Sequence, residues 1–359
     1  MPNNTVAYGF IGLENVMGQR LNTVNGEVIR RAIDDTFQEY NRQATQLIST
    51  VAQRTTRSKR RYTQAGSSTL QPLDQWGNPI PVKDRPSYDV AFPIQGGGTA
   101  WGNNRVSRAL MTVQEENDNA VDAMRADADW MVRHALAALF TNVTYTYQDE
   151  LDGALTIQPL ANGDSVTYLT KGGAVATDNH FAAQAAAIAD AANPFPAIYD
   201  ELTEHPGNGN VVVSYIPTNL KTAVQGLAEF ILVPDPNVMP GSNQATLTSN
   251  GQQALRMGDA VLGYLKSSKI WVVEWKKLPS DYIMSLAPDA DTPLGMREYD
   301  APELQGFFPE FHSPDGNLQV KRMIRYAGFG VMNRVSAHIQ RIGNGAYAIP
   351  TGYQAPLAV

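Results

Sequence analysis

Residues 112–140, TVQEENDNAVDAMRADADWMVRHALAALF, decide how the rest of the chain is read. The stretch has no Gly or Pro, and Ala, Leu, Met, Glu and Arg recur through it, so helix is the favoured conformation. At 1.5 Å per residue it predicts a rod of about 40 Å, longer than most globular helices. Its two halves differ. The first carries Glu115, Glu116, Asp118, Asp122, Asp127 and Asp129 against Arg125 alone, whereas residues 130–140 are almost wholly apolar. Acid near a helix N-terminus suits the dipole, yet this many carboxylates repel one another unless basic groups lie alongside. The matching block is RTTRSKRR at 54–61, which supplies Arg54, Arg57, Lys59, Arg60 and Arg61. Phosphate neutralisation is one use for such a run. Pairing with the acidic half-helix, within the chain or on a neighbouring copy, is the favoured one, because the opposite charge is so concentrated in the same chain. Exposed ion pairs are individually weak, but a network repeated across an interface fixes register and partner.

Composition narrows the classes. A chain of 359 residues has ample sequence for a core, and 43% hydrophobic with 18% charged residues describes a globular protein rather than a disordered one. Disulfides, thiolate metal sites and Cys nucleophiles are excluded, because Cys is absent. No apolar run approaches the roughly 20 residues of a membrane span. The opening MPNNTVAYGF lacks the basic-then-apolar plan of a signal peptide, which predicts a cytosolic origin. A net charge of −7 argues against a general nucleic-acid coat while leaving local basic patches.

Outward from the long helix, residues 1–27 read as an extended arm anchored at Phe10, Ile11, Val16 and Met17. Apolar positions at three- and four-residue steps predict an amphipathic helix over 27–53. Residues 54–110 are crowded with Pro, Gly and aromatics, and Trp76-Gly77-Asn78-Pro79 is turn chemistry. The flanks at 69–73 and 88–94 are expected to pair as an irregular hairpin. A segment this long without a helix is functional more often than connective, and a hairpin reaching a neighbour gives Trp76, Tyr88, Phe92 and Trp101 somewhere to bury. Beyond the long helix, strands are predicted at 143–147, 155–159 and 166–170, with Asp152-Gly153 and Asn162-Gly163 as hairpin turns. Asp178 is read as the N-cap of a helix over HFAAQAAAIADAAN, and a shorter helix is expected at 196–205. A buried strand at 211–215 leads into a helix from Pro217 to about Phe230. Further strands are predicted at 260–265, 270–275, 281–287 and 318–331.

Local motifs for chemistry are missing. The five histidines (134, 180, 205, 312, 338) show no metal-binding spacing. No GxSxG elbow occurs, and Gly96-Gly97-Gly98 lacks the continuation of a phosphate loop and reads as a flexible joint. Asp127/Asp129 and Asp289/Asp291 are expected to be solvated or ion-paired rather than catalytic. No cofactor, metal site or catalytic residue is assigned, and the chain is not expected to be an enzyme.

In this order (arm, helix, extended hairpin, long helix, small sheet, α/β region, closing strands) the chain resembles the major capsid proteins of tailed bacteriophages, the Hong Kong 97 shell fold. The 112–140 stretch looks like that family's spine helix, and residues 62–109 sit where its extended E-loop belongs. VVVSYIPTNLKTAVQGL at 211–227, and GYLKSSKIWVVEWKKLP followed by DYIMSLAPD, are similar to its axial domain. LQVKRMIRYAGFGVMNRVSAHIQRI at 318–342 resembles its closing strands. The resemblance spans nearly the whole chain, and its specificity lies in the succession of elements. It implies an α+β fold divided into an N-terminal arm and helix (1–55), E-loop (56–110), peripheral domain with the spine helix (111–175), axial domain (176–317) and returning strands (318–359).

The implied function is a virion shell of pentamers and hexamers made in the host cytoplasm and enclosing double-stranded DNA on its inner face, with portal and decoration proteins as further partners and no membrane. So few residues precede the first helix that a separate scaffolding protein, or none, is expected. The implied intersubunit contacts are Arg54, Arg57, Lys59, Arg60, Arg61, Trp76, Tyr88, Phe92, Trp101, Glu115, Glu116, Asp118 and Asp122. Covalent crosslinking through Lys83 is not expected. An encapsulin-like nanocompartment is the nearest alternative, with a hydrolytic enzyme or a basic-arm DNA-binding protein as alternatives of another class.

Overall fold

The computed structural model describes residues 16–24, 26–64, 73–78, 86–103, 105–232, 260–312 and 319–357. After a short docked segment come α1 (Gly26–Ile48), β1 (Ala52–Thr55), β2 (Lys59–Thr63), β3 (Ser87–Ala91), β4 (Gln95–Asn103), α2 (Arg105–Leu110) and the long α3 (Val113–Phe140). The middle of the chain holds β5 (Tyr145–Asp149), β6 (Gly153–Ile157), β7 (Asn162–Leu169), β8 (Val175–Asn179), β9 (Phe181–Gln184), α4 (Phe195–Thr203), β10 (Val212–Ile216), α5 (Lys221–Gln225) and β11 (Phe230–Leu232). It closes with β12 (Ala260–Leu265), β13 (Ile270–Glu274), β14 (Tyr282–Leu286), β15 (Leu294–Arg297), β16 (Phe307–His312), β17 (Gln319–Val331) and β18 (Ala337–Ile342).

Helix α3 is pinned at both ends. Thr112 and Glu115 form a capping box, the Thr112 hydroxyl accepting from the Glu115 amide while the Glu115 carboxylate accepts from the Thr112 amide. The amides of Val113 and Gln114 donate to the carbonyls of Gln19 and Met17 (both 3.0 Å), so the arm at 16–24 satisfies the amides that a helix start leaves over. At the far end the Tyr347 hydroxyl donates to the Phe140 carbonyl (2.6 Å) and the Ala355 amide to the Thr141 hydroxyl (2.8 Å). The C-terminal tail therefore closes what the arm opens.

Two sheets lie against this helix. In the smaller, β17 is the axis: its first part pairs with β4 on one side and β16 on the other, its last residues pair with β15, and parallel β1 extends from β15. Glu116 and Asp127 stand eleven residues apart on α3, three turns or about 16 Å of rise. Their partners Lys321 and Arg325 stand four apart on one face of β17, about 13 Å. Helix and strand therefore run side by side in the same direction, the two ion pairs fixing their register. The larger sheet has the order β11-β12-β13-β10-β14-β18-β9, parallel at β10/β13 and β18/β9 and antiparallel elsewhere. Val213 and Tyr215 of β10 pack with the apolar half of α3, while Val212 and Ile216 face the core under α4 and α5. Each such buried side chain contributes about 1.5–3 kcal/mol by removal from water.

Several expectations change. The first helix ends at Ile48, and 52–53 belong to β1, whose parallel pairing with β15 buries Ala52. Part of the arm docks on its own α3, while Phe10 and Ile11 lie outside the described residues, as do Lys83 and most of the predicted hairpin flank at 69–73. The end of the basic run, Lys59, Arg60 and Arg61, lies in the hairpin strand β2, which pairs with β3, while Arg54 belongs to β1. Gly96-Gly97-Gly98 is no joint but part of β4. A Cβ on Gly97 would meet the Trp130 ring at 2.8 Å, so glycine lets α3 approach the strand. Residues 105–110 are helical rather than extended. Asn162-Gly163 opens β7, which pairs with β8, so it joins no hairpin with β6. The helix expected after Asp178 is replaced by β9 and turns, and the one expected up to Phe230 shrinks to a 3-10 turn plus α5. The 318–331 segment is one continuous strand.

Candidate assembly surfaces

The β2–β3 hairpin is assembled from cross-strand pairs. Arg61 donates both to Asp89 Oδ1 (2.7 Å) and to Oδ2 (3.0 Å), and this guanidinium holds the Asp89 carboxyl below its ordinary range. The pair is solvent-exposed, so water and salt screen it and it contributes little to stability. Tyr62 and Tyr88 stack directly opposite one another at 5.7 Å, and the Arg60 guanidinium lies 5.0 Å from the Tyr62 ring centre. At the base, Phe92 is 1% exposed and lies over Gly295 and Gly330, where a Cβ would meet the Phe92 ring at 2.5 Å and the Ala91 carbonyl at 2.5 Å respectively. The ladder continues to Gln64, whose amide donates to the Pro86 carbonyl at 2.8 Å. Beyond it, Asp74 Oδ1 accepts from the amides of Trp76 and Asn78 (both 2.8 Å), with Gly77 at φ +77°. This Asx-type turn presents Trp76 at 79% exposure. An indole buries 150–250 Å² when covered, so a partner that covers it gains several kcal/mol by about 25 cal/mol per Å².

The carboxylates of α3 divide by face. Glu116 is 1% exposed and is held by Lys321 and by the Trp101 indole nitrogen (3.4 Å). Asp127 accepts two hydrogen bonds from Arg325 (2.6 and 2.7 Å) and one from the Tyr40 hydroxyl (2.6 Å). Burial and the Asp127 charge push that hydroxyl far above its usual pKa, so it stays a donor. Glu115, Asp118 and Asp122 lie on the exposed side, Asp118 accepting from Gln114 (2.7 Å) and Asp122 paired with Arg125 (3.3 Å). Asp129, further along, reaches Lys277.

Of the residues singled out as intersubunit contacts, Phe92 and Glu116 are buried within the chain, and Trp101 and Tyr88 are half-buried against Glu116 and Tyr62. Arg54 pairs with Glu298 and donates to Gln305 (2.6 Å). Left facing solvent are Arg57, Lys59, Arg60 and Trp76 on one side and Glu115, Asp118 and Asp122 on the other. The basic run and the acidic half-helix are not paired with each other within the chain. The inward carboxylates answer instead to β17, and the signal was the four-residue spacing of Lys321 and Arg325, which the sequence reading passed over.

No family model and no curated protein matches the sequence. Solved structures match the fold. A chain from Mycobacterium phage Patience superposes with TM-score 0.68, 19% identity and 96% of each chain covered. Two capsids overlap more loosely: that of cyanophage P-SCSP1u, with TM-score 0.49, 9% identity and 83% of this chain against 88% of that one, and that of a native GTA particle, with 0.49, 10%, 84% and 91%. The chain has the α+β shell fold of the Hong Kong 97 type. No described helix is long and apolar enough to cross a membrane.

Proposed function

We propose that this chain is a major capsid protein, self-assembling through pentamers and hexamers into the icosahedral shell of a tailed phage around double-stranded DNA. The observation that carries this reading is the shared fold over 96% of the length of a phage protein, taken with the succession of elements that resembles the capsid family. In this assignment α3 is the spine of the peripheral domain, together with the sheet centred on β17. The seven-stranded sheet with α4 and α5 is the axial domain, and β2–β3 is the stem of the E-loop. The role is structural and the place of the protein is the virion, after synthesis in the host cytoplasm. Between copies, Arg57, Lys59 and Arg60 of the hairpin meet Glu115, Asp118 and Asp122 on a neighbour's spine helix, and Trp76 is covered by the adjoining subunit.

Sedimentation and negative-stain microscopy of the purified full chain test this. Capsomers or uniform hollow particles are the expected result. A monomer at every concentration and ionic strength tried, with and without a scaffolding partner, would overturn it.

A further inference from the structure

Three acceptor atoms converge beneath the surface between β8 and the end of α4. Asp178 Oδ2 lies 2.9 Å from His180 Nε2 and 2.6 Å from His205 Nε2, and the two ring nitrogens are 3.3 Å apart. His180 is 0% and His205 3% exposed. The tautomers follow from the far side of each ring. His180 Nδ1 is 2.8 Å from the Ala337 carbonyl and His205 Nδ1 is 3.2 Å from the Leu169 carbonyl. A carbonyl only accepts, so both Nδ1 atoms carry protons, and in the neutral rings both Nε2 atoms present lone pairs to each other and to a carboxylate oxygen. One shared proton would satisfy one of these contacts and leave the others opposed. A divalent cation satisfies all three at once.

We infer that Asp178, His180 and His205 form a binding site for a divalent transition ion of the zinc class, their ligand atoms all lying within 4.8 Å of one another. For metal–ligand bonds of 2.0–2.1 Å, tetrahedral ligands lie about 3.3–3.4 Å apart. The two imidazoles meet that separation, and the carboxylate needs to withdraw by roughly half an ångström. Each histidine has its Nδ1–H held by a backbone carbonyl, the outer support that fixes metal-ligating imidazoles. With two imidazoles and one carboxylate as donors, a hard ion such as magnesium is disfavoured and zinc favoured. His338 is buried nearby, its ring centre 6.1 Å from that of His180, and is not counted as a ligand. The ligands come from β8, from the residue before β9 and from the end of α4, so the ion ties the β7–β8 hairpin to the α4 edge of the seven-stranded sheet. Its role is structural and independent of the shell reading. The spacing along the chain, 178, 180 and 205 with no local motif, hid the cluster because folding brings it together.

The test uses the full-length chain, dialysed against chelator and titrated with zinc chloride. One zinc per chain with Kd below about 1 µM is expected, with Tm raised by about 5 °C at a hundredfold excess over Kd. Magnesium at the same concentration should leave Tm unchanged. His205→Gln and Asp178→Asn should abolish the stoichiometric binding. Should either variant fold poorly, cobalt(II) added to the wild-type chain decides, giving visible d–d absorption that zinc removes. Absence of that absorption together with an unshifted Tm would overturn the proposal, and so would undiminished zinc binding by both variants.

Discussion

Asp127 shows how much a single side chain holds here. Its carboxylate joins α1, through Tyr40, to β17, through Arg325, from the middle of α3. Asp127→Asn leaves the Arg325 guanidinium buried beside one remaining carboxylate, Glu298 at 3.6 Å. The expected loss is about 3 kcal/mol, read as a lowered urea midpoint with an unchanged slope. Asp149 contributes to the acid sensitivity. Burial alone would raise its pKa, but hydrogen bonds from Arg297 (2.7 Å) and from the amides of Leu151 and Asp152 lower it on balance. A carboxyl depressed in the folded state stabilises fully above its unfolded pKa of about 3.9, and that contribution disappears as pH falls through the lower folded value. Urea midpoints measured from pH 5 downward should therefore fall, and Asp149→Asn should flatten part of that fall.

At the scale of elements, the exposed face of α3 and the outer strand of the hairpin carry the electrostatic prediction. Replacing Asp118 and Asp122 with Lys changes solvent-facing residues, so the monomer should keep its Tm within about 1 °C. Assembly followed by light scattering should weaken at low salt, and added salt should narrow the difference. Equal assembly of mutant and wild type at every ionic strength would remove those residues from the interface. The long helix was legible because nothing in 112–140 competes with helix. The alanine run after His180 misleads because alanine favours helix wherever tertiary contacts do not decide. There Phe181 buries its ring and β9 pairs with β18, a tertiary gain that outweighs propensity. Asp178 has the chemistry of a cap, yet its carboxylate turns to two histidines. The glycines at 96–98 looked like freedom and prove to be proximity, because no periodicity in the sequence announces that Trp130 lies over them.

For the whole molecule, the charge blocks were legible and their partners were not. The sequence offers two opposite runs, and pairing them is the natural guess. Only the fold shows that two of the six acids, Glu116 and Asp127, face inward to a strand far along the chain. Replacing residues 65–85 with a two-residue turn should separate folding from assembly. The stem ends in the Gln64–Pro86 hydrogen bond, so the variant should keep its Tm within about 2 °C and fail to form shells in the microscope. Shells of normal size would show that the loop tip is dispensable. The ion pairs that set α3 on β17 also govern timing during synthesis. Lys321 follows Glu116 by 205 residues, so at 5–20 residues per second the ribosome presents the spine about 10–40 s before the strand that seats it. A nascent chain thus carries its spine helix unseated, with Glu116 and Asp127 lacking their partners, until β17 has been made.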